Sequence, residues 1–290
     1  MFTHQPIPFR KPPKQNNSKI GRFPPDAPDA AFSFSDVYNP VSFETARGCE
    51  ARVWDFFVRA APDQGYDTEY LDYVTGANLT HRMPLWIKPW APLALDGVVA
   101  AMRSHYEGTP LQFDLDVGAG AHGLPYRWRP LTWDASDGVT YFHERAAATQ
   151  QTGFFLAAQL RANVPDPIKA VMYFAVDDTA NSVLTPIYGG LARVPPAYGE
   201  GDLMRFEWGK AFWVFNLVSN WAYARYDLIH PEIAAVQAEI EAQHVALVRT
   251  TDAAFVELWA AGEAEKAQAL LDEVGGWVSL GTWVGGWVGG

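Results

Sequence analysis

The sequence predicts an α+β fold. Strand-like segments between about Leu131 and Tyr188 are joined by turns too short for parallel crossovers, and apolar residues at helical spacing lie on both sides of that block. Composition agrees: 290 residues, 49% hydrophobic and 14% aromatic, can bury a substantial core.

From the start, Met1–Lys19 sets Arg10, Lys11, Lys14 and Lys19 among prolines and asparagines. Residues 1–20 read as a flexible arm without the apolar stretch of a secretory signal. In Phe32–Pro40 aromatic and polar residues alternate up to a turn. Phe43–Val58 carries Ala46, Cys49, Val53, Phe56 and Phe57 at helical spacing behind Ser42 as N-cap. That predicts a helix with Cys49 on its buried face. Ala94–Tyr106 reads as another helix, with Asp96 in its first turn and His105 near its end.

Val139–His143 follows an Asp137-Gly138 turn and has strand composition. Phe154–Leu160 and Ala170–Val176 are further strands, and Asp177-Asp178-Thr-Ala-Asn181 reads as a hairpin turn into Ser182–Tyr188. Lys210–Leu228 is apolar around most of its circumference, as in a buried helix. Pro231 opens an amphipathic helix to about Val248, Thr251 or Asp252 caps another, and Ala264–Val274 is a last short one. The body thus spans 21–274. The uncharged tail 275–290 repeats Trp-Val, and its Gly content favours disorder over a docking segment.

A net charge of −11 argues against nucleic acid as partner, since phosphate binding needs clustered Lys and Arg. No uncharged apolar run reaches the roughly 18 residues of a membrane span. One cysteine leaves no disulfide framework and fits the reducing cytoplasm. His105, His122, His143, Glu144, Asp177 and Asp178 are raw material for a metal site, but no His-Glu-x-x-His spacing occurs. No metal or organic cofactor is predicted. Trp86, Trp90, Trp128 and Trp133 offer a different class of function, the groove of a non-catalytic peptide-binding module.

Four segments are unusually dense in Pro, Gly, Trp and Arg: Arg82-Met-Pro-Leu-Trp-Ile-Lys-Pro, His105-Tyr-Glu-Gly-Thr-Pro, Tyr126-Arg-Trp-Arg-Pro and Thr149-Gln-Gln-Thr-Gly-Phe154. Their order and spacing resemble the dipeptidase A family of cysteine dipeptidases, of the N-terminal-nucleophile hydrolase superfamily, over about Asn16–Asp272. The resemblance implies an αββα sandwich and hydrolysis of dipeptides through a thioester. In that chemistry a cysteine at the mature N-terminus attacks the carbonyl, with its own α-amino group as base. Cys49 does not meet this requirement, and Arg47–Trp54 resembles a helical stretch well inside the family's chain. The resemblance therefore implies that the nucleophile segment is missing and that this polypeptide alone is inactive. A truncated product, a missing half supplied by another chain, and a homo-oligomer that covers open sheet edges all remain as readings.

The resemblance also points to site residues. Asn16 takes the place of an oxyanion-donating asparagine, although Lys14-Gln15 replaces the His-Ala pair expected before it; a solvated loop asparagine is the other reading. Arg52 matches a helical arginine directed at the nucleophile, with an ion pair to Glu50 or Asp55 as equal contender. The amides of Gln150 and Gln151 suit a dipeptide backbone, or tie neighbouring strands. Arg127 and Arg129 suit a bidentate grip on a substrate carboxylate, or stack as structural arginines between Tyr126 and Trp128.

Overall fold

The computed structural model describes residues 32–127 and 145–277, with isolated positions between Pro24 and Pro28 and around the strand pair Thr132–Phe142. The arm 1–20 with Asn16, the residues Trp128, Arg129, His143 and Glu144, the Trp133 side chain and the tail beyond Trp277 lie outside the described residues.

The alternating segment is helical, not extended: α1 spans Phe34–Tyr38, with the Ser33 hydroxyl accepting from the Asp36 amide at 3.3 Å. Its period-2 pattern yields to that cap. The next helix starts where expected. Ser42 and Thr45 exchange capping hydrogen bonds at the head of α2 (Phe43–Thr45), a reciprocal arrangement that satisfies two orphan donors. The helix then passes through one π-turn, Ala46–Glu50, into α3 (Ala51–Ala60).

That turn moves the buried stripe. The Ala51 amide bonds the Ala46 carbonyl, five residues back, so Ala46, Ala51, Trp54 and Phe57 share the inner face. Cys49 and Val53 face outward, and Cys49 is exposed, not buried as the 3.6-residue spacing predicted. Trp54, wholly buried, donates its indole N–H to the Tyr66 carbonyl at 2.7 Å. Around it pack Tyr73, Val74, Met83, Tyr106, Phe113 and Ala146, so the first helix and the following loops share one core.

Short helices α4 (Tyr66–Glu69) and α5 (Leu71–Val74) precede α6, which runs Leu95–Met102 and stops three residues before His105. β1 (Thr132–Asp134) and β2 (Thr140–Phe142) form an antiparallel pair. β3 (Phe154–Leu160), β4 (Ala170–Val176) and β5 (Thr185–Tyr188) form an antiparallel sheet in sequential order, Phe155 opposite Ala175 and Tyr173 opposite Pro186. Short α7 (Pro196–Gly199) leads to α8 (Ala211–Ala224).

The chain breaks direction at Arg225 and enters α9, Tyr226–Ala260. This single helix is about 50 Å long at 1.5 Å per residue. Pro231 lies inside it, and no break separates Val248 from Thr251, against the prediction of two helices. Proline costs one bond to the carbonyl of Asp227, but the buried Tyr226 and Ile233 hold the turn on either side. α10 (Ala264–Trp277) folds back along α9 and takes in Gly275–Trp277 of the repeat tail.

One face of the sheet is buried. Phe155, Val171, Tyr173 and Ala175 pack against Val248 and Phe255 of α9 and Ala267, Leu271 and Val274 of α10. The opposite face is exposed along β3, where Phe154, Leu156 and Leu160 are 62%, 44% and 81% exposed, and covered toward β5, where Thr185 and Ile187 are buried and Phe174 meets Tyr198. An exposed apolar row such as that of β3 is a surface for further contacts.

Candidate functional site

At the end of β4 the chain does something an ordinary hairpin does not need. Asp177 takes a left-handed conformation, φ 65°, and Asp177–Ser182 are all buried. Among the described residues Tyr106, φ 67°, is the other non-glycine in that region. A bulky residue held there costs roughly 1–3 kcal/mol, and such strain gathers at functional sites. The two strained positions belong to segments that meet.

Three parts of the chain hold the loop. From just beyond α6, Arg103 donates Nε–H to the Thr179 carbonyl at 2.9 Å and an Nη2–H to the Ser182 carbonyl at 3.0 Å. Its other donors pair with Glu241 of α9, whose Oε1 also accepts from the Leu184 amide. Gln237 of α9 donates to the Ala180 carbonyl at 3.3 Å. From α8, Asn216 donates to Asp177 at 3.0 Å and the Tyr223 hydroxyl donates to Asp178 at 3.1 Å. Asp178, fully buried, also accepts from the Ala180 amide and from Asn181 Nδ2 at 2.6 Å; Asn181 Oδ1 meets His230 Nδ1 at 3.1 Å.

Over this floor sits an aromatic cluster. The His105 ring meets the edge of Tyr126 at 5.0 Å, Tyr126 meets Tyr223 at 5.1 Å and Tyr226 at 5.7 Å, and Tyr226 stacks on His230 at 4.4 Å. His105 Nδ1 lies 3.0 Å from Glu107 Oε1. A carboxylate only accepts, so Nδ1 donates in this pair and Nε2 is the ring nitrogen left over. That Nε2 is buried with no hydrogen-bond partner among the described residues. The Ser182 hydroxyl is likewise buried and unpartnered, and the Tyr126 and Tyr226 hydroxyls close no hydrogen bond of ordinary geometry. Buried polar atoms are rarely left so, and several in one place mark a site shaped for something else.

Burial, reinforced by the charge of Asp178, pushes the phenols of Tyr126, Tyr223 and Tyr226 up, so all three remain O–H donors. Burial raises Asp177 against the hydrogen bond from Asn216, and burial with the charge of His105 lowers His230. Neutral phenol donors suit a peptide carbonyl or its oxyanion, and buried carboxylates suit an ammonium.

Glu107 is half-exposed. Burial pushes its carboxyl up, but the hydrogen bond and charge of His105 outweigh this and hold it at about 2, against an ordinary 4.5. A folded-state value below the unfolded one stabilises fully above about pH 4.5, and that stability is lost as pH falls toward 2. Glu107→Gln is expected to lose stability at neutral pH. In urea titrations its gap from the wild type should narrow between pH 4.5 and pH 2. A gap unchanged over that window would contradict the His105–Glu107 pairing.

Residues 16–239, more than three-quarters of the chain, match Peptidase family C69, the dipeptidase A family of cysteine peptidases. The chain belongs to this family. A search of curated proteins finds no match. The C69 chain is thus a member of a hydrolase family, and its His105–Glu107, Tyr126 and Asp177–Asp178 segments all lie within the matched span.

The residues singled out in the sequence fall around this C69 cluster in different ways. Arg127 follows Tyr126, but its guanidinium lies over the Phe113 ring at 4.6 Å and pairs with Asp116. It fills the space over Gly118, where a Cβ would come within 2.7 Å of it. The Gln150 amide donates to the Arg127 carbonyl, and Gln151 joins Arg127, Tyr126 and Thr149 around a very small cavity. Arg52 has a buried Nε with no hydrogen-bond partner among the described residues, while Glu50 is taken by Arg82 and Asp55 by Arg59. Trp86 and Trp90 are exposed, 78% and 68%.

His122 pairs with Asp227 at 3.6 Å, away from His105. Among the described residues no group of three or more His, Cys, Asp or Glu stands at metal-binding spacing. Asn181, Asn216, Tyr223 and His230 were not singled out as a site by the sequence, and Asp178 was named only with Asp177 as raw material for a metal site. The available signal was the polar run Asp177–Ser182 after an apolar strand, together with Asn216 and Tyr223 in an otherwise apolar helix.

Proposed function

We propose that this C69 chain forms the peptide-binding side of a dipeptide hydrolase, centred on Asp177–Ser182 and the His105, Tyr126 and Tyr226 side chains. The buried, unpartnered donors and acceptors of that cluster carry the reading, because a dipeptide's carbonyl and ammonium groups are what they lack. Cys49 is not the nucleophile: its nitrogen is in a peptide bond in mid-helix, so no α-amine is there to take the thiol proton. The attacking cysteine comes from outside this sequence, and with it a second sheet over Phe154, Leu156 and Leu160, completing an αββα sandwich. Asn16, Arg52, Gln151 and Arg129 stay secondary members of the site, while Arg127 and Gln150 brace the segment behind Tyr126. The exposed single thiol suits the cytoplasm, and no described helix is long and apolar enough to cross a membrane.

The test is dipeptide hydrolysis by the purified chain before and after alkylation of Cys49. The expected result is no turnover in either sample. Turnover abolished by alkylation, and likewise by Cys49→Ser, would make Cys49 the nucleophile and overturn this assignment.

A further inference from the structure

Helix α8 carries more than the site. Phe212, Asn216, Ser219 and Tyr223 follow one another at spacings of four, three and four, which is one face of an α-helix. Asn216 and Tyr223 bond the buried carboxylates, while Phe212 and its neighbour Trp213 wall a cavity of about 280 Å³. The same cavity is lined by Val176, the residue before Asp177. Cavity and polar cluster therefore adjoin along one strand end and one helix face.

The cavity offers aromatic surface and no uncommitted cation. Tyr198 presents its ring, because its hydroxyl is engaged with Thr185 at 2.7 Å. The Trp213 indole donates to the Asp202 carbonyl at 3.0 Å, and Lys210 is spent on Glu200 at 3.1 Å and the Pro196 carbonyl at 3.3 Å. Gly199 and Gly201 leave room beside Leu203, and the carboxylates of Glu200 and Asp202 stand on the same wall. Its volume falls just below the roughly 300–1,000 Å³ of sites for drug-sized molecules, room for one amino-acid side chain. Phe212 and Asn216 are about 6 Å apart along the helix, close to the roughly 7 Å reach of an extended dipeptide.

We infer that this cavity is a side-chain specificity pocket, which selects dipeptides bearing one aromatic or large aliphatic side chain. The inference rests on the proposed dipeptide site and adds to it what that site prefers. Phe212, Trp213 and Tyr198 are the selecting residues, and an anionic side chain finds no uncommitted cation among the described residues there.

Calorimetric titration of the whole chain with Gly-Gly, Gly-Phe, Phe-Gly, Gly-Leu and Gly-Glu tests this. The expected result is that one of Gly-Phe and Phe-Gly, with Gly-Leu close behind or ahead, binds at least about tenfold more tightly than Gly-Gly and Gly-Glu. Trp213→Ala, half-buried and checked by circular dichroism, should remove that preference while Gly-Gly binding persists. Equal affinities for all five dipeptides, or a preference unmoved in both Trp213→Ala and Phe212→Ala, would overturn the pocket and leave the dipeptide site standing. Binding of none of the five would sink the dipeptide reading itself and the pocket with it.

Discussion

Replacing Arg103 by Met is expected to destabilise the protein by about 3–5 kcal/mol, the cost of leaving a largely buried carboxylate without its partner. Arg103 and Glu241 are only 18% and 20% exposed, and no other cation bonds Glu241 among the described residues. The same guanidinium holds the Thr179 and Ser182 carbonyls, so one substitution orphans the first and leaves the second to Gln237 alone. For a chain of this length the loss corresponds to a melting temperature lower by roughly 6–20 °C. Pairing it with Glu241→Gln should recover part of the loss, because the uncompensated charge disappears. A double variant no more stable than Arg103→Met would show that the carbonyl contacts, not the ion pair, carry the effect.

Trp54→Ala should cost a similar amount, about 3–5 kcal/mol, by a different route. The indole is fully buried among Ala51, Tyr73, Val74 and Tyr106, and its N–H is satisfied by the Tyr66 carbonyl. Truncation leaves a large void and reduces the Tyr66 carbonyl to its long bond from the Tyr70 amide at 3.4 Å. Trp54→Phe keeps most of the apolar volume and should lose only about 1–3 kcal/mol, the usual range for an abandoned buried hydrogen bond. Urea midpoints with unchanged slopes would confirm that both variants act on stability alone. Near-wild-type stability of Trp54→Ala would show that α3 does not depend on this contact.

The elements that read correctly from sequence are those whose pattern is local. β3 and β4 alternate or run apolar between turn residues, and their predicted limits agree with those observed. Ser42 announces its helix by a cap that needs only the next three residues. What failed depended on an added residue or on distant partners. The π-turn at Ala46–Glu50 shifts the helical phase by one residue and turns Cys49 outward, which a 3.6-residue count cannot anticipate. Pro231 looked like a helix start because a proline is easiest there, yet packing of Tyr226 and Ile233 carries α9 through it.

The site was legible only in pieces. Its His105–Glu107 and Tyr126 segments stood out by composition, whereas Asp177-Asp178 read as a hairpin turn, which it is, between β4 and β5. Two adjacent aspartates ordinarily belong in water. They are buried here because Asn216, Tyr223 and Arg103 reach the loop from 39 to 76 residues away. No local pattern encodes such contacts. Arg127 shows the converse: a motif residue with the right chemistry for a substrate carboxylate, lying over Phe113 and paired with Asp116.

The most direct test of the central claim is hydrogen–deuterium exchange of the whole chain with and without a saturating dipeptide. The buried loop and its supports predict slowed exchange in 177–182 and in the facing parts of α8 and α9, residues 216–230. Protection confined to the exposed Trp86–Trp90 segment, or none anywhere, would contradict the placement of the peptide site at Asp177–Ser182.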